Sequence, residues 1–172
     1  MFTFILYVFC LFIIGCSSND DAGGILDNTN GDEQMHSCMD EFDFNSSLLQ
    51  AFYFFNTVTL NGEAISSDDW VGAFNGDVCV GARQWDTSNC LNGVCDVPVL
   101  GSDGQSFTSG YLMAGNIPTF KIYDSSEGKI YATNLMNELG EIIDTPLWAN
   151  TAFPIIHSLV AIPEIEINCS DQ

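Results

Sequence analysis

The chain has 172 residues, and 23 acidic side chains stand against 3 basic ones, a formal net charge of −20. That excess repels nucleic acid and anionic lipid headgroups, so neither is expected as an electrostatic partner. Hydrophobic residues make up 47% of the chain, with 13 Phe, which is enough apolar mass for one core, and the length suits a single domain.

Met1–Cys16 contains no charged side chain. The apolar run Phe4–Ile14 is too short to cross a bilayer as a helix but has the length of a signal-peptide core. It ends in Ile13-Ile14-Gly15-Cys16, which resembles a bacterial lipobox. That resemblance implies a signal peptide over 1–15, cleavage before Cys16, diacylglycerol on its thiol and acylation of the new amine. Such chains hold a membrane because each buried methylene contributes about 0.8 kcal/mol. The segment departs from the pattern in lacking the usual opening Lys or Arg. A plain secretory signal with an incidental cysteine is the alternative.

Residues 16–37 are polar, acidic and rich in Gly and Asn, with almost nothing to bury, so a disordered tether is expected. At roughly 5–6 Å × √n it would reach a few tens of Å. Ser17 and Ser18 resemble outer-membrane sorting positions, and Asp20 and Asp21 resemble surface-export signals of Bacteroidota lipoproteins. Outer membrane or cell surface is the expected location.

The remainder, 38–172, reads as a β domain. Gln50–Leu60 is long, aromatic and β-prone, and Asn61-Gly62 follows as a hairpin turn that sets Leu60 opposite Glu63. A second hairpin, Trp70–Phe74 with Asp77–Gly81, turns at Asn75-Gly76 and pairs Phe74 with Asp77. Both its faces are apolar, so it is expected either to be covered on two sides or to present one aromatic face to a ligand. Later strands are expected at 98–100, 119–123, 129–132, 155–161 and 164–167, with a short helical turn at 135–139. Many short strands separated by turn signals predict an all-β fold, an antiparallel β-sandwich of Ig-like or jelly-roll-like type.

Export permits disulfides. Cys90 and Cys95 bracket an Asn-Gly turn and are expected to bridge. Cys38 and Cys169 would tie the two ends of the domain. Cys79 is then left over as a small buried apolar residue. Without a Cys-x-x-Cys pair or clustered His, a zinc site is not expected.

The runs Asp68–Trp85, Gly93–Gly104 and Gly115–Asp124 together resemble an extracellular β-sandwich module of secreted and surface proteins in marine bacteria. The resemblance covers about 45–135. It implies an extracellular β module and carries over no catalytic residue.

The chemistry that can be read is sparse. Ser126-Glu-Gly-Lys129 fits a polar hairpin turn better than the helix-opening Ser-x-x-Lys of penicillin-recognising enzymes. His157 lies in an apolar strand. Asp68 and Asp69 are strand neighbours and point apart, so they cannot jointly flank a glycosidic bond. Calcium is a possible cofactor, with Asp68, Asp69, Asp86 and Asp103 as weak candidate ligands in loops rich in oxygen donors. Turn capping is their ordinary role. Trp70, Trp85, Trp148 and Tyr111 are candidates to stack on a sugar ring. The expected function is a surface-displayed, non-catalytic binding or adhesion lipoprotein that engages glycan or an extracellular protein. The alternatives are a hydrolase-like enzyme with an unrecognised site, or a purely structural envelope lipoprotein.

Overall fold

The computed structural model describes residues 38–167. Cys16, the tether and Cys169 lie outside them. The described chain is all-β, with strands β1 (Gln50–Leu60), β2 (Glu63–Ala64), β3 (Trp70–Asn75), β4 (Val78–Gln84), β5 (Cys95–Leu100), β6 (Thr119–Asp124), β7 (Lys129–Met136), β8 (Ile142–Ile143) and β9 (Ile155–Ile167). Short 3-10 turns are the only helical segments among the described residues, and no helix there is long and apolar enough to cross a membrane.

The strands join one sheet in the order β2-β1-β9-β7-β6-β3-β4, with β5 also on β1 and β8 on β7. The sheet is mixed and curled like half a barrel. Most ladders are antiparallel, as expected, but β1 and β9 run parallel, with Phe54 opposite Ile155 and Val58 opposite Leu159. That corrects a purely antiparallel expectation. A parallel neighbour needs a long connection, and here it spans the whole chain between the two strands.

The first hairpin has the expected register, Leu60 opposite Glu63, with Asn61 and Gly62 both at positive φ. The second is shifted by one residue. Asn75 pairs with Val78 and Phe74 with Cys79, so the turn is Gly76-Asp77. Gly76 takes the left-handed conformation (φ 62°), and Asn75 Nδ2 instead donates to the Gly110 carbonyl at 2.9 Å. A bulge then inserts Val80 before Gly81 pairs with Ala73. An extra residue bends a strand and increases its twist, and β4 thereby turns toward β5.

The alternation of β1 sends Ala51, Tyr53 and Phe55 inward. There Phe55 and Phe120 meet edge to face at 5.1 Å between ring centres, and Tyr53 lies 5.5 Å from Phe120. Val71, Ala73 and Val80 join this core. The other face of β3 and β4 is covered too. Phe42, from the 3-10 turn Cys38–Phe42, packs edge to face on Phe74 at 5.5 Å, above Gly72, where a Cβ would stand 2.7 Å from the ring. Cys79 is free, buried in this second cluster, and its thiol pKa is pushed up to about 11 by burial. It behaves as the small apolar residue expected.

Residues 135–136 continue β7, so the helical turn expected at 135–139 is a strand end followed by a turn. Expected strands 155–161 and 164–167 are one strand, β9. Its ladder to β7 shifts register between Ala161 and Glu166, which is where Pro163, with no N–H to donate, is accommodated. Ser125–Gly128 is indeed a hairpin turn, closed by Gly128 N–H donating to the Asp124 carbonyl at 2.8 Å.

Candidate functional site

The curl brings the edge strands β4 and β5 side by side without a ladder between them. Pro98 in β5 offers no N–H. Gly81 in β4 lies against the Pro98 carbonyl, a closeness that any side chain would prevent. Arg83 crosses the seam: its Nε donates to the Asp96 carbonyl and its Nη2 pairs with Asp96 Oδ2 at 2.9 Å. A guanidinium and a close glycine contact thus bridge the seam where paired strands would carry a backbone ladder.

A cleft of about 400 Å³ opens beside this seam. Trp70 of β3 and Ala82, Arg83 and Gln84 of β4 form one side. Pro98 of β5 and the loop residues Asp86, Asn89 and Cys90 form the other. The Cys90–Cys95 disulfide, expected from spacing, is present and fastens that loop to the start of β5. Asp86 caps the loop's 3-10 turn: its Oδ1 accepts from Ser88 N–H at 3.0 Å and its Oδ2 from Asn89 Nδ2 at 2.6 Å. The loop wall is therefore preset by a covalent bridge and a capped turn.

Several groups in the cleft keep unused hydrogen-bonding capacity among the described residues. Gln84 Nε2 donates to the Ser67 carbonyl and Asn89 Nδ2 to Asp86, leaving both amide oxygens open as acceptors. Arg83 spends Nε and Nη2 on Asp96 and leaves Nη1 as a donor. Trp70 is half-buried and supplies the cleft's one aromatic ring. An aromatic face beside fixed donors and acceptors is the combination that orients a polar, ring-shaped ligand.

The other aromatic candidates lie elsewhere. Trp85 is 4% exposed and packs 6.2 Å from the Phe55 ring centre. Trp148 is 2% exposed and donates from Nε1 to the Val99 carbonyl at 2.9 Å. Tyr111 is 5% exposed, and its hydroxyl donates to the Asn45 carbonyl and accepts from Asn45 N–H. These three rings are core and offer no face to a sugar, which corrects the sequence expectation. Their indole and phenol groups are satisfied by backbone, as buried polar groups must be.

The four candidate calcium ligands stand in three separate loops. Asp68 is exposed. Asp69 is buried and accepts from Ser66 N–H at 2.7 Å and Ser125 N–H at 2.9 Å, binding two loops together. Asp86 caps its turn. Asp103 accepts from Thr108 Oγ1 at 2.7 Å, and that hydroxyl, followed by the Leu48 N–H, holds its carboxyl below the usual range. Among the described residues no group of three His, Cys, Asp or Glu side chains is placed to hold a metal ion. Cys38 is disulfide-bonded; Cys169, its expected partner, is outside the described residues.

Arg83, Gln84, Asn89 and Pro98 were not singled out from sequence. The one usable signal was Arg83, the only arginine in a strongly acidic chain. The rest of the cleft depends on β4 meeting β5, a contact that no local pattern encodes. Comparison with known protein families, with curated proteins and with solved structures finds nothing that matches this chain.

Proposed function

We propose that this protein is a lipid-anchored, surface-displayed binding lipoprotein whose cleft at the β4–β5 seam holds glycan. The observation that carries the reading is Trp70 beside Arg83, Gln84 and Asn89 in a preset cleft of about 400 Å³. A small ligand cleft typically measures about 300–1,000 Å³, so this one takes a short stretch of a sugar chain. The curled sheet packs a core on each face of β3 and β4 and leaves the seam with its loops at the rim. On this reading the lipid on Cys16 is what anchors the chain.

A glycan array probed with the full chain in detergent, with and without calcium, tests the reading. Binding to a defined glycan class that Trp70→Ala abolishes supports it. Failure on every glycan, or turnover of a bound one, sinks the non-catalytic glycan reading. Metabolic labelling with a radioactive fatty acid tests the anchor: label lost on Cys16→Ala supports it, and an unlabelled wild-type chain removes it.

A further inference from the structure

We propose, on the basis of that glycan reading, that the ligand of the seam cleft is an uncharged oligosaccharide rather than an acidic or sulfated one. Three observations carry this. The chain has only three basic side chains, and each is already engaged. Lys121 is largely buried, 3.8 Å from Glu41 Oε2 and 4.2 Å above the Phe74 ring. Lys129 bridges Glu127 at 3.3 Å and Glu166 at 3.4 Å. Arg83 is the one cation in the cleft, and Asp96 accepts two of its donors.

A cleft built for an anion presents an uncommitted guanidinium that can grip the carboxylate or sulfate with two donors. In this cleft Asp96 takes the Nε–Nη2 edge of the guanidinium and neutralises it, and Asp86 adds a second negative charge on the loop wall, so the remaining Nη donors stand between two carboxylates. An anionic ligand would have to displace Asp96 or approach two carboxylates, within a protein of net charge −20. The groups still open suit hydroxyls instead. The Gln84 and Asn89 amide oxygens accept from them and Arg83 Nη1 donates to them. Trp70 stacks on the C–H face of a sugar ring, a contact that needs no charge.

The test uses calorimetry on the full chain in detergent with six probes. Four are unsubstituted gluco-, manno-, galacto- and xylo-hexasaccharides, and two are a hexagalacturonate and a sulfated galacto-hexasaccharide. The expected result is binding to at least one neutral probe, unchanged between about 20 and about 300 mM salt. Trp70→Ala should weaken it about tenfold or more, with Trp70→Phe recovering part of the loss as a folded control that keeps an aromatic face. Tighter binding of an acidic probe that fades with salt and still depends on Trp70 overturns the charge assignment while leaving the glycan reading intact. Neutral-sugar binding indifferent to Trp70 places the ligand outside this cleft and overturns the inference. No binding of any probe removes both.

Discussion

Gly81 and Pro98 meet across the seam of the sheet so closely that a Cβ on Gly81 would overlap the Pro98 carbonyl oxygen. Gly81→Ala should therefore force β4 away from β5 and lower stability by about 3 kcal/mol, the scale of an overpacked core. Gly76→Ala is the contrast: its φ is 62° and the surrounding space is open. It should cost only about 1 kcal/mol of backbone strain. Urea unfolding of both variants checks the difference, and equal losses would show that the seam contact is unimportant.

Trp85 and Trp70 differ in the same way from each other. Trp85→Ala removes a ring that is 4% exposed in the main core and should cost about 3–5 kcal/mol. Trp70→Ala truncates a half-buried ring on the outer cluster and should cost about 1–2 kcal/mol while carrying the binding defect. Denaturant midpoints measured beside glycan affinity separate the two roles.

Tyr53 is fully buried, and its hydroxyl donates to the Pro146 carbonyl at 2.9 Å. Burial pushes its pKa from 10.0 up to about 12. The folded state thus holds a proton that the unfolded chain releases. The stability this contributes is fully present below pH 10 and is lost as pH rises from 10 toward about 12. Tyr53→Phe should flatten that part of the alkaline stability curve. An unchanged alkaline slope would show that Tyr53 does not set it.

Glu41 and Lys121 form a largely buried, loose pair, and Glu41 Oε1 has no hydrogen-bond partner. Breaking one side leaves an uncompensated charge, so Glu41→Gln should destabilise by about 3–5 kcal/mol. The double variant Glu41→Leu with Lys121→Met should recover most of that loss. A double variant as unstable as the single one would show that the pair itself is strongly favourable.

Local features of this chain were legible because local chemistry determines them. The Asn61-Gly62 turn, the alternation of β1 and the Cys90–Cys95 bridge each follow from residues a few positions apart. The second hairpin turns one residue later than its Asn-Gly pair suggests, and there Asn75 bonds to Gly110, 35 residues away. The aromatic candidates show the same limit. Trp85 and Trp70 are equally apolar in sequence, and only the folded chain distinguishes them, burying Trp85 against Phe55 and leaving Trp70 half-buried at the cleft. The cleft was invisible because its two walls come from strands that meet only when the sheet curls.

The parallel pairing of β1 with β9 also governs when this fold can form. Thr57 meets Ser158, with Oγ1 and Oγ 2.7 Å apart, across a sequence gap of 101 residues. Until the last strand is available, β1 lacks one neighbour and β7 lacks its longest one. Closing so large a loop is slow, and proteins dominated by such contacts fold in about milliseconds to seconds. A chain emerging from its amino terminus therefore stays without a finished sheet until β9 has appeared. Truncation within β9 should leave an open, association-prone β1 edge rather than a smaller stable domain.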